Sequence, residues 1–141
     1  MFKHFTLHIS TLLTAALLAG CGSIEQDKRA NHLQARTNEY QSALRWGYYD
    51  MAASFLQPGT HPDQNSTARF QGLRLTGYDV VQPLRLHDAT TAVQTVLIDY
   101  LYDDQQVVKQ LVDQQRWRWD GTRSAWFLAS GLPKFVTAAP R

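Results

Sequence analysis

The chain has 141 residues, enough for one domain with a hydrophobic core. Fourteen Lys and Arg against twelve Asp and Glu give a net charge of +2, which excludes the concentrated basic field that nucleic acid requires. A single cysteine excludes a disulfide within the chain, so stability must come from packing, for which the four Trp and an 11% aromatic content supply bulk.

The chain opens with Lys3, then an almost wholly apolar run over residues 9–18, then the small residues Ala19 and Gly20. That order predicts a secretory signal peptide over residues 1–20. The run is shorter than the ~20 apolar residues that a membrane-spanning helix needs. Its ending, Leu18-Ala19-Gly20-Cys21, resembles the lipobox of bacterial lipoproteins. The resemblance implies cleavage before Cys21, diacylglycerol on the Cys21 thiol and acylation of the new amino group. It also implies the outer membrane, in its periplasmic leaflet, because Gly22 and Ser23 rather than Asp follow the cysteine. Two or more acyl chains would hold the protein to its membrane partner without a spanning helix. Loss of residues 1–20 removes only Lys3 among the charged residues and leaves thirteen basic against twelve acidic side chains.

Residues 21–30 are polar and charged and read as a lipidated tether, which can run into the next helix without a sharp break. Residues 31–57 have a helical period. Leu33, Thr37, Tyr40, Leu44, Tyr48, Met51 and Phe55 recur at spacings of three or four and predict one buried stripe, flanked by Trp46, Tyr49 and Ala53. Gly47 marks a kink or break, and Pro58-Gly59 ends the helix. Residues 60–67 are a loop by composition. His61 and Asp63 lie close within it but lack an evident third metal ligand, and Asn65-Ser66-Thr67 matches a glycosylation sequon without meaning for a bacterial lipoprotein.

The period then changes to two. Leu73 and Leu75 begin an extended run that passes a bulge or bend at Gly77 and continues to Leu86, with Pro83 favouring a sheet edge. Residues 91–103 predict a central strand. Val93, Leu97, Asp99 and Leu101 share one face; Val96, Ile98, Tyr100 and Tyr102 share the other. Asp103-Asp104-Gln105 is a turn, residues 107–119 a third strand, Asp120-Gly121 a hairpin signal, and residues 125–129 a fourth strand.

One helical region followed by long antiparallel hairpins predicts an α+β fold: an N-terminal helical region on a curved antiparallel sheet of about four strands. This pattern is similar to the cystatin-like cone shared by nuclear transport factor 2 and ketosteroid isomerase. Arg45-Trp46-Gly47-Tyr48-Tyr49 before Ala52-Ala53-Ser54-Phe55-Leu56 also resembles small bacterial lipoproteins of that shape, as does Arg116-Trp117-Arg118-Trp119-Asp120-Gly121 before Trp126-Phe127-Leu128 and Leu132-Pro133. The domain is expected over residues 31–136, with a tail at 137–141.

No nucleophile elbow, phosphate loop or His-Glu-x-x-His occurs, and no cofactor pattern is present. An isomerase-like site needs a carboxylate base in an apolar cone with an opposing donor. Asp99 is the candidate base, and Tyr78 or His87 the candidate donor. A lone strand aspartate also has a plain structural reading, as a partner of a neighbouring strand. Tyr100, Tyr102, Trp117 and Trp119 either fill the core or, on the outer sheet face, form an interface for a homodimer or an envelope protein. The expected function is therefore a non-enzymatic binding or assembly lipoprotein facing the periplasm, with a small isomerase or dehydratase as the alternative.

Overall fold

The structure, a computed structural model, describes residues 3–61 and 68–137, with side chains from residue 22 onward. The side chains of the expected signal peptide and of Cys21 lie outside the described residues, as do Asp63, Asn65 and residues 138–141 of the tail. The chain forms two compact units, Met1–Leu33 and Gln34–Arg141. Helix α1 spans Lys3–Arg45.

In the first unit the polar segment expected as a tether is helical. Exposed Glu25 and half-buried Arg29 are an ion pair one turn apart, at 3.4 Å. Such a pair adds a few tenths of a kcal/mol (~0.3) to a helix. Among the described residues no helix is long and apolar enough to cross a membrane.

The second unit begins with the last three turns of α1. Its buried stripe is Thr37, Tyr40, Ala43 and Leu44. Gly47, at φ 73°, breaks the helix, because a left-handed backbone there suits a residue without Cβ. The chain restarts as the short helix α2 (Tyr49–Ala53) with its phase reset. Beyond the break the expected stripe fails at Tyr48 and Met51, which are exposed, and holds again at Phe55, which is buried with Ala52 and Leu56.

Four strands follow: β1 (Leu73–Leu86), β2 (Thr91–Tyr102), β3 (Lys109–Asp120) and β4 (Ala125–Leu128). They form one antiparallel sheet in the order β1-β2-β3-β4, and with the helices this is an α+β fold. Consecutive strands are neighbours because each connection is short. β1 is an edge strand whose register against β2 shifts between Leu75 and Gly77, between Val80 and Gln82, and between Gln82 and Arg85. The missing amide of Pro83 falls within the last of these shifts, where it costs no regular ladder bond. β4 is the other edge. Its Leu128 N–H donates to the Phe55 carbonyl at 2.7 Å, and Gln57 N–H donates to the Leu128 carbonyl at 3.2 Å. The segment after α2 therefore occupies the β4 edge.

The core lies between α1 and one sheet face. Ala92, Val96 and Ile98 of β2, Trp117 of β3, and Trp126 and Leu128 of β4 are at most 1% exposed. The Tyr40 ring meets Phe55 and Trp117 edge-on, each at 5.6 Å. Arg36 lies over the Phe55 ring at 4.1 Å and donates to the Trp126 carbonyl at 3.4 Å. The C-terminal segment returns across the same face, where buried Phe135 packs against Tyr100 at 4.9 Å. The row Val96, Ile98, Tyr100 and Tyr102 is thus covered from within the chain. The opposite face carries Val93, Thr95, Leu97, Asp99 and Leu101, all half-buried, and exposed Val112.

Candidate functional site

The residues singled out from sequence separate in space. Asp99 is on the sheet face away from the core and accepts from Gln110 Nε2 at 2.9 Å. Tyr78 is buried on the core face. His87 is exposed in the β1–β2 connection, where its backbone N–H donates to the Thr91 carbonyl at 2.8 Å. The three do not converge, because odd and even positions of β2 and its partners fall on opposite faces.

The four aromatic residues read as an interface also have internal places. Tyr100, Tyr102 and Trp117 are at most 3% exposed. Tyr102 Oη donates to the Arg69 carbonyl at 2.8 Å, which fastens the helical residues 68–70 to the sheet. Tyr100 Oη accepts from the Val136 N–H at 3.2 Å. Trp119 is half-buried, with its ring 5.6 Å from that of Trp126. Both faces of β2 are apolar enough to attract cover, so the identity of the covered face is not written in β2 alone. The helix and Phe135 take the face that carries the tyrosines.

A polar cluster stands on that covered face, and Tyr78 is the one expected residue within it. Gln94 Nε2 donates to Gln115 Oε1 at 3.1 Å. Gln115 Nε2 donates to Tyr78 Oη at 2.9 Å and to Asp113 Oδ2 at 2.9 Å. Gln94 and Gln115 are buried and face each other across the β2–β3 ladder. Asp113 is half-buried, two residues further along the same face of β3. Removal from water pushes the Asp113 carboxyl above the ordinary carboxylate range, and the Gln115 hydrogen bond offsets part of that. Burial lifts the Tyr78 phenol to about 12, against the hydrogen bond from Gln115, with the Asp113 charge adding to the rise. Tyr40, fully buried on α1, is raised well above its usual value, first by burial and then by the Asp113 charge. Its hydroxyl has no hydrogen-bond partner, and neither has Nε1 of Trp117 beside it.

Chemically, the cluster offers a carboxyl that holds its proton more readily than usual, next to a phenol. Because Tyr78 Oη accepts from Gln115, its own hydrogen remains available to donate. This is an acid–base pair oriented by one amide. Asp113 escaped the sequence reading, yet a signal existed. It lies four residues before Trp117, in phase with it, so a buried Trp117 puts Asp113 on the core side of β3.

Two further features mark the surface. An open groove of about 310 Å³ lies between Leu56, the helical residues Arg69 and Phe70, and the Ser130–Lys134 stretch. A second, of about 360 Å³, lies over β2 and β3 near Gln82, Thr95, Gln114 and Arg116. Among the described residues no group of three or more His, Cys, Asp or Glu could hold a metal ion. No protein-family model matches the sequence, and no curated protein matches it.

Proposed function

We propose that this chain is a lipid-anchored envelope lipoprotein of the periplasmic leaflet of the outer membrane, whose cone-like α+β domain is a binding or assembly module. The observation that carries this reading is Leu18-Ala19-Gly20-Cys21 closing an apolar run too short to span a bilayer. The covered sheet face supports the non-enzymatic part. It is filled by Tyr40, Trp117, Trp126 and Phe135, each at most 2% exposed, so the space where the cone fold would hold a substrate is occupied by side chains. The test is metabolic labelling with palmitate in cells expressing the parent or Cys21→Ser. The parent should carry label and fractionate with outer membranes. Cys21→Ser should do neither, and label that survives the change overturns the anchor. Crosslinking from membranes, followed by recovery of the same partner with Asp113→Asn, tests the binding half.

The second reading, a small isomerase or dehydratase, is favoured by one observation: the raised carboxyl of Asp113 next to the Tyr78 phenol. Under this reading Asp113→Asn abolishes the chemical activity while anchoring and folding persist, whereas Asp99→Asn does not.

A further inference from the structure

The groove of about 360 Å³ lies on the sheet face away from the core. Gln82 of β1, Thr95 of β2, Gln114 and Arg116 of β3, and Ser130 beyond β4 surround a small apolar patch made by Val93. Two contacts fix the rim. Thr95 Oγ1 donates to Gln82 Oε1 at 2.7 Å, and Ser130 Oγ accepts from the Arg116 backbone N–H at 3.2 Å. The β2–β3 ladder beneath runs without a register shift. The Gln114 amide and the Arg116 guanidinium are exposed and make no hydrogen bond or ion pair among the described residues. No carboxylate is among the residues lining the groove. On the same face, Asp79 and Asp99 are in register with Val112 and Gln110, roughly 13 and 20 Å along β3 from Arg116 at the rise of an extended strand. Asp120 lies beyond Arg116 in the other direction, where Arg123 holds it at 2.9 Å, and Asp88 of the β1–β2 connection accepts from Thr90. Arg85, in register with Val93, and Arg118, two residues beyond Arg116, are exposed on that face and also lack an ion pair among the described residues.

We infer that this groove binds a short acidic saccharide: a sugar carboxylate on Arg116, with ring hydroxyls on Gln82, Gln114 and Ser130. The guanidinium selects the carboxylate, because its planar fork of donors matches the two oxygens and no lining carboxylate competes for it. The amides and hydroxyls select the sugar. Each both donates and accepts, as a sugar hydroxyl does, and none carries a charge that a neutral hydroxyl would leave unmatched. Val93 offers the C–H face of a ring a place out of water. A volume of about 360 Å³ is at the small end of ligand pockets and suits about one or two rings. Arg85 and Arg118 place further positive charge at the same end of the face, where a second carboxylate on the next ring meets a cation. The groove is on the opposite side of the sheet from the Asp113 cluster and uses no part of the lipid anchor, so its test bears on neither.

The experiment uses the full chain in neutral phosphatidylcholine nanodiscs at about 0.15 M salt, where long-range attraction is screened. Amide resonances of Thr95 and Gln114 are followed while digalacturonic acid, its neutral counterpart galactobiose, or acetyl-alanyl-alanine is added. The last carries a carboxylate on a peptide without sugar hydroxyls. Digalacturonic acid should shift both resonances saturably and bind about tenfold or more tightly than either of the others. Arg116→Gln should weaken it about tenfold, to the level of galactobiose, and Gln114→Ala about threefold or more for both sugars. The remaining amide spectrum of each variant should be unchanged, since both side chains are exposed. Four outcomes would overturn the assignment: no saturable shift with digalacturonic acid, equal affinity for galactobiose, equal affinity for the dipeptide, or no loss in Arg116→Gln.

Discussion

The Asp99 carboxylate lies against the backbone of Gly77, so closely that a Cβ on Gly77 would come within 2.8 Å of Asp99 Oδ2. The two residues pair across β1 and β2 at the first register shift. Gly77 is therefore required by a close approach and not by an unusual φ. Gly77→Ala should cost about 1–3 kcal/mol by overpacking. In an Asp99→Ala background the cost should largely vanish, as urea unfolding of the four proteins in the cycle would read. Equal costs in both backgrounds would place the strain elsewhere.

Trp126 is 1% exposed and joins β4 to the core through Trp119. Trp126→Ala should lower stability by about 3–5 kcal/mol, through lost burial and the cavity left behind. For a domain of this size that is a large part of the total. A thermal melt of the variant should show a greatly lowered midpoint. An unchanged midpoint would remove β4 from the core.

The raised carboxyl of Asp113 fixes the sign of a pH effect. The folded state holds the Asp113 proton more tightly than the unfolded chain does. This contribution to stability is full below the unfolded value, about 4. It is lost as pH rises through the folded value. Asp113→Asn keeps an acceptor for Gln115 without a charge. It should therefore raise stability relative to the parent at about pH 8 and do so much less at about pH 3. A stability difference that is the same at both ends would show that burial does not strain this carboxylate.

Tyr40 carries a buried hydroxyl without a partner. Removing such a group relieves a desolvation cost of about 1–3 kcal/mol while leaving the ring contacts in place. Tyr40→Phe is expected to be neutral to stabilising in urea unfolding, and to leave partner recovery from membranes intact. Loss of partner recovery with a stable Tyr40→Phe protein would instead assign the hydroxyl a functional role.

Strand existence, order and edges were legible because the signals were local. Period-two alternation marked β2 and β3, Pro83 marked β1 as an edge, and Gly77 marked the bulge. Helix phase just after Gly47 was not legible at Tyr48 and Met51, although Phe55 is buried as expected, because the rotation at a left-handed residue depends on where Phe55 and Leu56 are drawn by β4. The covered face of β2 was equally hidden: Val93, Leu97 and Leu101 compete on nearly equal terms with Val96, Ile98 and Tyr100. The interface expected at Tyr100 and Tyr102 followed from that ambiguity. The hairpin after β3 differs in detail as well. Asp120 Oδ1 accepts from the backbone N–H groups of Thr122 and Arg123, at 2.9 and 3.0 Å, and Ser124 rather than Gly121 has positive φ. The asparagine-like capping of Asp120 overrides the Asp-Gly signal.

The bridge between Leu56 and Leu128 has a consequence for the order of events during synthesis. Residues near the start of the domain find their final partner only in the last strand, so the core around Tyr40 and Trp117 stays open until residue 128 is available. Closing so long a loop is slow, and the nascent chain remains extended and accessible while it waits. Under the proposed export, in which the chain would be threaded unfolded through a membrane pore, that delay would be an advantage. Chains truncated before Trp126 should remain protease-sensitive, whereas chains ending beyond Phe135 should acquire resistance in a single step.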